Sequence, residues 1–320
     1  MIFMKDLKFF IILVFLLFFS IGVTQGFALP GDSGDDLIQS AKSQYIEGNI
    51  SESLKFVNEF LSLYPNNASA LNLKGLIHTS NGSYKLAEES FLHALKISPL
   101  DGRINYNLGL AALKLGNFSF AEQNFIRSIE SNPDISDGYF YLGLAQYGMN
   151  NYTSAINSFK KATELTPEDP ATWLNLGMAY EKIRRYDQAH LSYLEAIDRD
   201  PSFSKPWFFS GRMYSSFGND TLAKNSFENY TKLEPENDVG WFWYSKSLKK
   251  TGDINQSIYA LNKAITLNPN NLEYQKHLQV YSGKYENTWI EHFFTPPSVL
   301  MVLLFFGLLI IFAIIAVIRK

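Results

Sequence analysis

"WLNLGMAYEKIRRYDQAHLSYLEAIDRDP" runs from Trp173 to Pro201. Trp173, Leu176, Gly177 and Tyr180 are spaced by three, one and three residues, and Ala189, Tyr193 and Ala196 by four and three. Such steps bring side chains to one face of a helix. The stretch therefore predicts two short helices joined by a turn. Pro201 closes it, because proline cannot continue a helix.

The same positions recur outward along the chain. Pro65, Pro99, Pro133, Pro167, Pro201, Pro235 and Pro269 stand 34 residues apart. Gly75, Gly109, Gly143, Gly177 and Gly211 keep that step, with Ala41 before them and Ser245 after. Ala87, Ala121, Ala155, Ala189 and Ala223 form a further column, flanked by Ser53 and Ser257. Phe91, Phe125, Phe159, Tyr193 and Phe227 form an aromatic one, and Ala94, Ala162, Ala196 and Ala264 most of another. An unbroken fixed period is the mark of a repeat array. The glycine column lets two helices approach closely, the alanines face it, and the large rings fill the space between units. Turns such as "LGN" (115–117) and "MNN" (149–151) end one helix and begin the next.

On these residues the chain resembles the tetratricopeptide repeat family. Trp173, Leu176, Gly177, Tyr180, Ala189, Tyr193, Ala196 and Pro201 fall where that family places its signature residues. The resemblance covers seven units in register over 34–271, starting near 34, 68, 102, 136, 170, 204 and 238. The first unit departs most, with Ala41, Val57 and Phe60 in signature places. The expected fold is all-α, a right-handed superhelical solenoid, because one helix pair cannot bury its apolar side without neighbours. A more polar segment at 272–282 reads as a capping helix, and 283–297 as a linker.

The ends differ from the repeats. Lys5 and Lys8 precede an apolar run from Phe9 to Phe19, and small residues follow to Ala28. This pattern is that of a secretory signal over 1–28, with an uncleaved N-terminal anchor as the alternative. Ser298 to Ile318 holds no charged residue and is long enough for one transmembrane helix, with Arg319 and Lys320 as a basic cytoplasmic end. Basic residues stay in the cytoplasm, so the expected location is the cell membrane with the repeats outside. There is no cysteine, so a packed core rather than disulfides must hold the fold. Asn-x-Ser/Thr sequons at Asn49, Asn67, Asn81, Asn117, Asn151, Asn219, Asn229 and Asn255 fit a glycosylated outer surface, although several lie in one recurring turn that favours Asn for structural reasons.

In the tetratricopeptide family the first helices of the units line a concave groove. The equivalent places here are Ile38, Asn72, Tyr106, Phe140, Leu174, Phe208 and Phe242, and one turn on Lys42, Leu76, Leu110, Leu144, Met178, Arg212 and Lys246. "GWFWYSKSLKK" (240–250) is thereby explained. Trp241, Tyr244, Ser245 and Leu248 share a core face, Trp241 continuing a column with Trp173 and Trp207. Phe242, Lys246, Lys249 and Lys250 share the groove face. The expected groove has an apolar, aromatic middle and a basic C-terminal end that includes Lys205. It suits a protein or peptide segment with apolar anchors and an acidic end. The lysine–asparagine carboxylate clamp of chaperone-binding members is not present; Asn107 and Asn175 match it only singly.

A formal charge of -3 without a long basic run gives no nucleic-acid footprint. His78, His93, His190, His277 and His292 are scattered and show no metal-ligand spacing. No phosphate loop or nucleophile elbow occurs. The expectation is a non-enzymatic scaffold with no cofactor, no metal and no small-molecule substrate, assembling a complex at the envelope. Two alternatives stand beside it. One is a structural surface protein processed at a C-terminal sorting tail. The other is a module that stacks glycans on the groove aromatics.

Overall fold

The computed structural model describes residues 33–283. They form fifteen α-helices in two compact units, one up to Leu165 and one from Thr166. The first unit holds four helix pairs: α1 (Ser33–Ile46) and α2 (Ile50–Leu63), α3 (Ala68–Ser80) and α4 (Tyr84–Ile97), α5 (Gly102–Lys114) and α6 (Phe118–Ser131), α7 (Ser136–Gly148) and α8 (Tyr152–Leu165). The second holds three pairs and a single helix: α9 (Pro170–Lys182) and α10 (Tyr186–Arg199), α11 (Ser204–Ser216) and α12 (Asp220–Leu233), α13 (Asp238–Lys250) and α14 (Ile254–Leu267), then α15 (Leu272–Tyr281). Within each unit every helix packs on its neighbours in sequence.

The expected architecture is corrected at its membrane element. The described residues are fifteen helices of repeat type, and none of these helices is long and apolar enough to cross a membrane. The run at 298–318, the leader at 1–28 and nearly all of the linker lie outside the described residues.

Local chemistry sets the helix ends. Asn67 and Asp101 accept hydrogen bonds from backbone N–H groups at the starts of α3 and α5, and Asp169, Asn219 and Asn237 do so at α9, α12 and α13. These bonds satisfy donors that the first turn leaves open. Between the helices of a pair one residue turns left-handed. It is Gly48, Gly82, Gly116, Gly218 or Gly252 in five pairs, Asn150 in the fourth and Arg184 in the fifth. This column keeps the 34-residue step too, but an arginine in it hides the backbone requirement from a reader of side chains.

The core is built on one contact. The rings of Phe91, Phe125, Phe159, Tyr193 and Phe227 are wholly buried. Each lies against the glycine of its own pair. A Cβ added at Gly75, Gly109, Gly143, Gly177 or Gly211 would stand 2.3, 2.7, 2.6, 2.5 or 2.8 Å from a ring carbon. The rings thus belong between the two helices of a unit, and not only between units as the spacing suggests. The outer pairs solve the same problem differently. Ala41 and Ser245 carry a Cβ, and there the ring is replaced by Val57 and Leu261. Ser53 Oγ then donates to Ala41 O at 2.7 Å, and Ser257 Oγ to Ser245 O at 2.9 Å.

The helix α15 covers the last pair. Tyr274 is 3% exposed, its hydroxyl donates to Asp238 at 2.9 Å, and its ring lies 4.7 Å from that of Phe242. Burial and then Asp238 push the Tyr274 hydroxyl up to about 12.

Two stability measurements check this account. Gly143→Ala should lower stability by about 1–3 kcal/mol in urea denaturation, the usual cost of overpacking. Combined with Phe159→Leu, its cost should be less than additive by about 1 kcal/mol, since the smaller side chain relieves the clash; strict additivity would show that the two do not meet. Arg184 holds φ 62°, so Arg184→Gly should stabilise the chain by about 1 kcal/mol in the same assay. An unchanged or lower midpoint there would mean that the left-handed turn carries no strain.

Candidate functional site

The first helices of the pairs carry the expected binding residues. In the first unit, Tyr106 and Leu110 on α5 and Phe140 and Leu144 on α7 are all half-buried. Tyr106 lies edge-on to Phe125 at 5.9 Å and to Tyr141 at 5.8 Å. Phe140 meets Tyr141 at 5.1 Å and Phe159 at 6.0 Å. Each ring therefore rests one side on the buried column and keeps part of its surface outside. Burial, then Asp137, raises the Tyr106 hydroxyl far above its usual range, so it stays a neutral hydrogen-bonding group. Asn72 and Asn107, on successive first helices, join through a 2.9 Å bond from Asn107 Nδ2 to Asn72 Oδ1.

The second unit divides the expected residues. Met178 and Phe208 are half-buried and Arg212 is exposed. Phe208 packs on Phe209, Phe227 and Tyr230 at 6.0, 5.9 and 5.1 Å. Leu174 and Phe242 are corrected from groove to core: they are 5% and 6% exposed. Leu174 packs in the cluster around Tyr193, and Phe242 lies under Tyr274 and His277 of α15. The face of α13 is further changed by where Trp241 goes. It was expected in the core with Tyr244, yet both are only half-buried, while Ser245 and Leu248 are buried as expected. The Trp241 indole N–H donates to Pro235 O at 2.8 Å, as Trp173 does to Pro167 and Trp207 to Pro201. Tryptophan in this column ties a first helix to the proline that ends the preceding pair.

The basic end is largely engaged within the chain. Lys246 Nζ lies 4.5 Å from the Trp243 ring and 5.3 Å from that of Phe242. Lys249 Nζ is 5.1 Å from the Tyr281 ring. Lys250 pairs with Asp220 at 3.0 Å, and Arg212 with Glu181 at 3.6 Å. These partly exposed contacts are individually weak and can exchange. Lys205 is exposed.

One column was missed from the sequence. Tyr141, Phe209 and Trp243 each follow the groove residue and stack on the buried ring of the preceding pair, on Phe125 at 5.9 Å, Tyr193 at 5.4 Å and Phe227 at 5.8 Å. Their interplanar angles are 21°, 25° and 26°. The signal was available, since the three positions differ by multiples of 34 residues. Asn107 and Asn175 occupy the same column, and Asn175 spends its amide on Ala171 O at 2.8 Å.

Of the sequon asparagines, Asn49, Asn81, Asn117, Asn151, Asn219 and Asn255 are exposed and Asn67 and Asn229 half-buried. Asn67, Asn117, Asn151 and Asn219 accept a backbone N–H through Oδ1, which accounts for asparagine there structurally. Among the described histidines, His78, His190 and His277 are held below their usual range, in each case first by burial. No group of three or more His, Asp or Glu among the described residues is placed to hold a metal.

Solved structures with a similar fold share little sequence with this chain. The C-terminal part of a TPR repeat-containing protein from Cytophaga hutchinsonii is 19% identical, with TM-score 0.64 over 75% of this chain and 99% of that one. PilF of Pseudomonas aeruginosa is 20% identical, with TM-score 0.57 over 67% and 96%. YrrB, described as a TPR protein with an unusual peptide-binding site, is 17% identical, with TM-score 0.51 over 59% and 98%. At such identity they show the fold alone. None of the curated proteins matches the sequence. Sequence descriptions of the tetratricopeptide repeat match at 68–99, 106–170, 142–202 and 240–271, together about half of the 320 residues. With its ring-on-glycine pairs and terminal prolines in the same register, the chain belongs to the tetratricopeptide repeat family.

Proposed function

We propose that this protein is a non-catalytic scaffold that holds a peptide segment of another protein against its first helices. The observation that carries the reading is the row of half-buried apolar side chains on α5 and α7, Tyr106, Leu110, Phe140 and Leu144. Rings fixed on one side by the core and open on the other offer contact area at little entropic cost, which suits anchoring of a partner's apolar residues. Met178 and Phe208 offer similar surface in the second unit. The exposed Arg212 and Lys205, the ring contact of Lys249 and the exchangeable ion pair of Lys250 favour an acidic flank. YrrB, which has the same fold, is a peptide-binding member.

We propose further that the repeats work outside the cytoplasm, assembling a complex at the envelope. What supports this is sequence: the basic and apolar leader ending near Ala28 and the eight sequons, six of them on exposed asparagines.

Two experiments test these readings. Peptides selected on the full chain from a random library should lose at least about tenfold in affinity with Leu110→Asp or Leu144→Asp, at unchanged helical circular dichroism. Selected peptides indifferent to both changes would end the peptide-scaffold reading. The intact mass of the chain from its native cells should lack residues 1–28 and carry added sugar. A full-length, unmodified mass would end the proposal of export.

A further inference from the structure

We propose that a cavity beside Trp241, lined by none of the first-helix binding residues named above, receives an arginine side chain of a partner. The cavity measures about 470 Å3 and opens between α12, α13 and α14. Its lining includes Glu228, Lys232, Pro235, Trp241, Tyr244 and Tyr259. Three aromatic rings converge there, with Trp241 at 6.2 Å from Tyr244 and 6.5 Å from Tyr259. Tyr259 is 59% exposed, so its ring is accessible at the mouth of the cavity.

The chain itself shows what such a tryptophan accepts. Trp173 and Trp241 are equivalent, two periods apart, and each donates its indole N–H to the proline carbonyl six residues earlier. At Trp173 the place beside that carbonyl is filled. The Arg199 guanidinium lies 4.8 Å from the Trp173 ring, its Nε donates to the same Pro167 O, and Nη1 donates to the Glu195 carboxylate. One guanidinium thus satisfies a π face, a carbonyl and a carboxylate. Two periods on from Arg199 stands Leu267. Leu267 carries no group for those three contacts and does not line the cavity, which opens beside the Trp241 ring.

The remaining groups match a guanidinium. Trp241 and Tyr259 supply π faces, on which arginine stacks well. Pro235 O is a carbonyl acceptor in the place that Pro167 O holds for Arg199. Glu228 lines the cavity and supplies the carboxylate. It is paired with Lys232 at 2.7 Å in a largely exposed i,i+4 contact, which costs little to exchange for a fork-shaped partner. Lys263 Nζ already lies 5.9 Å from the Tyr259 ring, so that ring takes a cation in the free chain. Burial, then Glu228 and Asp253, raises the Tyr244 hydroxyl, so a neutral phenol faces the site.

The test uses full-length chain labelled with 15N at tryptophan and titrated with N-acetyl-arginine amide. The indole resonance of Trp241, assigned by Trp241→Phe, should shift saturably with a dissociation constant on the order of millimolar. The citrulline analogue, equal in shape but uncharged, should bind at least about tenfold more weakly. Glu228→Gln and Tyr259→Ala should each weaken the arginine response about three- to tenfold, and Tyr259 is exposed enough for its loss to leave folding intact. Leu267→Arg should abolish the response, by placing on Trp241 the group that Arg199 places on Trp173. No shift of the Trp241 indole, an equal response to citrulline, or a response to a monosaccharide or proline amide in place of arginine would overturn the proposal. The outcome is independent of peptide binding at Leu110 and Leu144, so either reading can fail alone.

Discussion

The structure depends on an aromatic ring lying on a bare glycine. Five times in this chain a fully buried Phe or Tyr occupies the volume that a Cβ would need. The contact sets the separation of the two helices in a pair, because the ring is rigid and the glycine offers only backbone. It also presents the far side of the ring to the next pair. There Tyr141, Phe209 and Trp243 stack on it almost face to face. At these three pairs one contact therefore sets both the width of a repeat and its join to a neighbour. Ala41 with Val57 and Ser245 with Leu261 follow the same rule in reverse, with a Cβ on one side and no ring on the other.

The proposed binding surface is a by-product of that core. Tyr106, Phe140 and Phe208 each lie against the buried ring of their own pair. They are held in place without a partner, so a partner need not order them. The charged residues are less prepared. Lys246 and Lys249 lie over rings, and Lys250 and Arg212 are paired with carboxylates. A partner gains from them only by exchanging contacts that already exist, so its affinity should come mainly from apolar anchors, with charge setting orientation.

Much of the fold was legible because the period is unbroken. The glycine, alanine, aromatic and proline columns needed no structure to be seen, and the helix pairs follow them closely. The left-handed turn was less legible. Its requirement is on backbone φ, and Asn150 and Arg184 meet it without resembling Gly48 or Gly252. The candidate site was legible only by column. A column names the side of a helix, and the first and last pairs of an array have different neighbours from the rest. Phe242 sits in the same column as Phe208, yet α15 covers it and buries it.

The sequence by itself determined the helix pairs, their number and the identity of the core columns, because helix periodicity is a local fact repeated seven times and glycine's missing side chain one repeated five times. Tertiary structure alone decided which members of a column are free. Leu174 and Phe242 are buried by what packs on them, and Trp241 is drawn to the Pro235 carbonyl rather than the core. It also decided that Arg199 covers Trp173 while a cavity lies beside Trp241. Exposure is a property of neighbouring surfaces, and residues 26 or 32 positions apart become neighbours only when helices pack.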